Sequence, residues 1–79
     1  MIEITSYEYE EPAPGHWTPV EKALPEYDNL VLISAVNIDG EPVVDLGEWL
    51  SSIVVWRTNP GLSIKKVVAW QPLPDPYEP

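Results

Sequence analysis

The chain has one histidine, His16, and any acid–base or nucleophilic chemistry built on imidazole must use it. A catalytic dyad needs a nucleophile and an orienting acid beside the histidine. Ser34, Ser51, Ser52 and Ser63 offer hydroxyls, but none stands in a Gly-x-Ser-x-Gly elbow. His16 therefore reads as a surface or clasp residue. Carboxylates pair at Asp39/Glu41 and at Asp45/Glu48. General acid–base catalysis needs two carboxyls held in different environments of one cleft. Asp39 and Glu41 flank a turn signal and should be solvated. Asp45 and Glu48 are three apart, on opposite faces of any strand that carries them. No stretch has the ligand spacing of a calcium loop, and no cysteine is present for a thiolate site. Gly40, Gly47 and Gly61 are isolated and form no phosphate-cradling loop. The expectation is a protein that is not an enzyme, with no catalytic residue, no metal and no cofactor.

Binding chemistry remains. Thirteen acidic residues face four basic ones, a formal net charge of −9. Residues 1–48 hold eleven of the acids against Lys22 alone, whereas residues 49–79 hold Asp75 and Glu78 against Arg57, Lys65 and Lys66. Binding a nucleic-acid backbone requires Lys and Arg to displace counterions, so direct nucleic-acid binding is not expected. An acidic face attracts basic partners, including proteins that themselves hold DNA or RNA. It also simply keeps a small, sticky β domain in solution. The candidate partner-binding residues are the acidic-aromatic run Tyr7, Glu8, Tyr9, Glu10 and Glu11, together with Glu26, Asp28, Asp39 and Glu41. A second candidate is an aromatic pocket of Trp49 and Trp56 with Arg57 and Lys65, which would stack a planar ligand and hold its charge. The competing reading of these tryptophans is that they fill a small core.

The elements that must position these residues are short. Met1–Thr5 alternates like a strand, and residues 1–15 are acidic and partly irregular, with Pro12 and Pro14 fixing φ. Between Pro19 and Pro25, "VEKAL" has room for one helical turn begun at Pro19. Leu30–Ile38 is the clearest strand. Asp39-Gly40 then predicts a type I′ hairpin turn, which needs φ > 0 at both positions. "PVVDLGEW" returns as a second strand, Ile53–Arg57 makes a third and Ser63–Trp70 a fourth, the last two joined by a turn at Thr58–Gly61 with Gly61 free to go left-handed. Residues 45–53 are ambiguous. Leu46, Trp49, Leu50 and Ile53 have helical spacing, while Gly47 and the following "VVW" favour strand then loop. Leu30–Ile33, Ile53–Trp56 and Val67–Trp70 are apolar on both faces, so the sheet needs two covers. The Pro-rich ends can cover part of one face; a second copy of the chain covers the rest, or the apolar patch is a partner site.

Two Trp-Pro segments, "HWTPVEKALP" and "AWQPLPDP", flank this sheet. Together they resemble a family of small domains known as domain of unknown function 551, frequent in bacteriophages and prophages. The family's opening pattern falls on Trp17, Val20, Leu24 and Pro25, just before a strand. Its closing pattern falls on Trp70, Pro72, Leu73, Pro74, Asp75 and Pro76. The chain departs from it at Pro19 and at "EYDN", which stands where the family has Gly. The resemblance implies a phage or prophage origin and a domain whose ends meet; it brings no activity.

The expected fold is therefore mainly β, or small α+β if residues 45–53 are helical. It is a single domain over residues 1–79, an antiparallel meander of about four strands with the Pro-rich ends packed together. Trp70 and Leu73 are expected to meet Trp17 and Leu24 and close the sheet's open side. The expected function is that of a phage-type accessory protein that acts by binding a host protein, a basic nucleic-acid-binding or defence factor, through its acidic surface. The alternative is an oligomeric binder of a small molecule or nucleotide signal. Homodimerisation is compatible with both. No apolar run is long enough to span a membrane and the acidic N-terminus is unlike an export signal, so the cytoplasm of a bacterial host cell is expected.

Overall fold

The computed structural model describes residues 12–26 and 28–78. They form a mainly β protein with one five-stranded antiparallel sheet, in the order β1-β5-β2-β3-β4. The strand expected at Met1–Thr5 lies outside the described residues. The centre of the sheet is the hairpin of β2 (Leu30–Asn37) and β3 (Pro42–Leu50). Alternation sets its two faces: Val31, Ile33 and Ala35 point into the core, while Leu30 is exposed. Residues directly opposite share a face, so Gly47, Asp45 and Val43 line up with Val31, Ile33 and Ala35.

The hairpin falls where Asp39-Gly40 predicts it, but the turn is a different type. Gly40 has φ 83° and Asp39 is not left-handed. Gly40 N–H donates to Asn37 O at 2.9 Å, and Asn37 N–H donates to Glu41 O at 3.0 Å. That is a three-residue loop whose last residue is left-handed, the next most common hairpin solution. Asn37 favours it because its Oδ1 accepts the amides of both Asp39 and Glu41, each at 2.9 Å.

Residues 45–53 are strand through Leu50, which places Trp49 inside and Leu46 outside. Gly47, which argued against a helix, has a packing role. A methyl at its Cα would lie 2.9 Å from Ile33 Cγ2. The following strand is shorter than expected: β4 is Val55–Arg57, and Ile53 and Val54 belong to the turn before it. Val54 sits at φ 59°, a conformation that costs a β-branched residue on the order of 1–3 kcal/mol. Asp28 ties this turn down, accepting from Ser51 N–H at 3.2 Å and Ser51 Oγ at 2.9 Å.

After β4 the meander ends. Pro60–Leu62 makes one turn of 3-10 helix, capped by the Asn59 side chain, and the left-handed residue is Ser63 (φ 50°) rather than Gly61. The chain then crosses to the far side of β2 and enters β5 (Ile64–Gln71). The spatial order β5-β2-β3-β4 is that of a Greek key. Partners shift from Ser34↔Ala69 to Ala35↔Val67, so Val68 is an extra residue on β5. This bulge resets the alternation, and Val67 and Trp70, three apart, both enter the core.

The two Pro-rich segments do pack together. β1 (Thr18–Pro19) adds to the outer edge of β5, with Thr18 opposite Trp70. Pro19 there blunts the edge by lacking a donor. The single turn expected at "VEKAL" forms, its bonds running from Lys22 and Ala23 N–H to Pro19 O. Trp70 Nε1–H donates to Ala23 O at 2.9 Å, and Gly15 N–H donates to Gln71 Oε1. Val20 packs against the core cluster of Val31, Ile33, Ala35, Val67 and Trp70. The clasp thus closes the face that already holds the core. The opposite face, expected to be the one it covered, keeps Val44, Leu46 and Val68 exposed.

Candidate functional site

The clasp creates a groove. Leu24 and Pro25 from one Pro-rich segment and Pro72 and Leu73 from the other form its walls, and Trp70 lies between them. The start of β2 closes one end with Leu30, and Glu26 and Asn29 supply the polar groups. Its volume is about 590 Å³, within the usual range of ligand-binding clefts. Local sequence explains the shape. Proline fixes φ in both walls, so neither collapses onto the other. The Trp70 indole is held at its polar edge by Ala23 O. That bond engages the only donor of the indole. No residue lining the groove is basic.

The acidic candidates do not form one patch. Tyr7, Glu8, Tyr9, Glu10 and Glu11 lie outside the described residues. Glu26 is on the groove and Asp28, just before β2, is bonded to Ser51. Asp39 and Glu41 are in the hairpin loop beyond the other end of β2. The eight residues of β2 separate the two groups by about 23 Å, at roughly 3.3 Å per residue. The ends also differ in cations. Lys65 and Lys66 stand at the hairpin end, where Lys66 pairs with Val36. At the groove end Arg57 is bonded to Glu48, its cross-strand neighbour and the only ion pair among the described residues.

The aromatic candidates are only partly brought together. Trp49 and Trp56 are directly opposed on β3 and β4, with ring centroids 5.4 Å apart and planes tilted by 57°. Trp49 is buried and Trp56 packs against the core. Arg57 follows them but is engaged with Glu48. Lys65 is not with them: Val36, beside it, pairs with Pro42, seven residues along β3 from Trp49. His16 is exposed, its backbone N–H bonded to Ala13 O. Among the described residues no three acidic or histidine side chains converge as a metal site, and no helix is long and apolar enough to cross a membrane.

The groove was not recognised in the sequence. Its signal was the pair of Trp-Pro segments, which announced a clasp; that two rigid walls leave a gap between them needs three dimensions. Known family models, curated proteins and solved structures give no match to this chain.

Proposed function

We propose that this protein is a non-enzymatic, phage-type accessory protein that acts by binding a basic host protein, a nucleic-acid-binding or defence factor. The observation that carries this reading is the excess of carboxylates without cationic partners: the described residues contain one ion pair, Arg57–Glu48, in a chain of net charge −9. Such a surface raises the local concentration of a basic partner and accelerates its association. The phage context rests on the Trp-Pro motifs alone. The second reading, an oligomeric nucleotide-signal binder, is less favoured because Trp49 and Trp56 face each other in the core and Lys65 stands at the other end of the sheet.

Capture of host proteins on the immobilised chain, compared with a Glu26→Lys/Asp39→Lys/Glu41→Lys variant, tests the proposal. Basic proteins should be retained by the parent, released by salt and lost from the variant. Equal retention by both would sink it. Saturable thermal stabilisation by nucleotides, in the absence of any such protein, would favour the second reading.

A further inference from the structure

Of the acidic candidates, Glu26 lies on the groove. We infer that the groove is the anchor site for the basic partner: it takes a large apolar side chain, Leu or Phe, from a segment that places Lys or Arg beside it. This rests on the reading above of a basic partner and names the place and chemistry of the contact.

The chemistry of its lining commits the groove to this occupant. Its floor and walls are apolar, from Leu24, Leu30, Trp70 and Leu73, and burial of an aliphatic or aromatic anchor there is the usual source of interface energy. Its charged group is a carboxylate, which only accepts hydrogen bonds. Glu26 makes no ion pair among the described residues, and the chain's one arginine, Arg57, is bonded to Glu48. A phosphate or carboxylate ligand would meet no cation in the lining and no free indole N–H. A second copy of the chain carries the same excess of carboxylates, thirteen acids against four bases, whereas a cationic segment is attracted. The walls are also pre-set by proline and by the Trp70–Ala23 hydrogen bond, so little ordering is lost when the groove fills.

The test uses the full chain, ¹⁵N-labelled, and the tryptophan-free peptide acetyl-Lys-Lys-Leu-Phe-Lys-Lys-amide, with acetyl-Lys-Lys-Ala-Ala-Lys-Lys-amide as its comparison. The Trp70 indole N–H resonance should move saturably with the first peptide and hardly with the second. Glu26→Gln should weaken the first peptide about two- to fivefold, the worth of an exposed ion pair. Leu73→Ala, which alters an exposed side chain outside the sheet, should weaken it while leaving the fold intact. Equal binding of both peptides would remove the anchor from the proposal. Salt-sensitive binding that moves Asp39 and Glu41 amides but not the Trp70 indole would overturn the groove assignment and leave the basic-partner reading standing. Absence of salt-sensitive binding by either peptide at any site would overturn the basic-partner reading itself.

Discussion

The two faces of the sheet are built from similar residues and meet different fates. On one, Val31, Ile33, Ala35, Val67 and Trp70 close into a core. On the other, Val44, Leu46 and Val68 stand in solvent. Hydrophobicity does not distinguish them. What does is the cover: β1 and the turn after it lie against β5 and bring Val20 and the Ala23 carbonyl onto the core side only. A domain this small has limited surface to bury, so the one covered face must carry most of its stability.

Deleting the side chain on which the cover is fastened should therefore have the largest effect. Trp70 is 4% exposed, and Trp17, one residue before β1, is 42% exposed. Trp70→Ala removes a core side chain and the partner of Ala23 O, and should cost about 3–5 kcal/mol. Trp17→Ala should cost about 1 kcal/mol or less. Urea unfolding followed by circular dichroism measures both. Equal losses in the two variants would mean that the clasp, and not the core face, is where the tryptophans act.

A smaller effect is expected at Gly47, where the core is tight enough to exclude a methyl group. The added Cβ of Gly47→Ala meets Ile33 Cγ2 at 2.9 Å and Cδ1 at 3.0 Å, and Ile33 is 0% exposed. Overpacking of this kind costs about 1–3 kcal/mol. An unchanged urea midpoint would show that the core face is looser than its packing indicates.

This contrast also marks how far the sequence could be read. The strands at Leu30, Pro42 and Ile64 were legible because alternation and turn residues are local signals. The clasp was legible because Trp and Pro recur at both ends. The two-sided apolar pattern led to an expectation of two covers, with the Pro-rich one on the open side; the fold covers one face and leaves Val44, Leu46 and Val68 of the other exposed. The Val68 bulge is the reason such an assignment fails: one extra residue turns Val67 and Trp70 to the same face, and nothing in "KKVVAW" distinguishes the two phases. The return of β5 to β2 is a pairing between distant residues, invisible to local pattern. Val54 falls inside the strand expected at Ile53–Arg57, and the fold holds it left-handed in the turn before β4. For the site, Glu26 was legible as an acid, but its neighbours on the groove come from opposite ends of the chain.

The finest test applies one substitution to both faces. Val67 is 8% exposed and Val44 is 61% exposed. Val67→Thr places a hydroxyl among Ile33, Ala35 and Trp70, where it lacks a partner, and should cost about 1–3 kcal/mol. Val44→Thr keeps the shape and the β-branch and leaves the hydroxyl in water, so its effect should lie within about 0.5 kcal/mol. The difference between the two is the penalty of burying the hydroxyl on the covered face, since the side chains exchanged are identical. Measured across protein concentration, Val44→Thr also asks whether the open face stays open. A loss above about 1 kcal/mol that grows as the protein is concentrated would mean that a second copy lies over Val44, because burial by self-association scales with protomer concentration. A small loss, the same at every concentration, would leave that face exposed in the free protein.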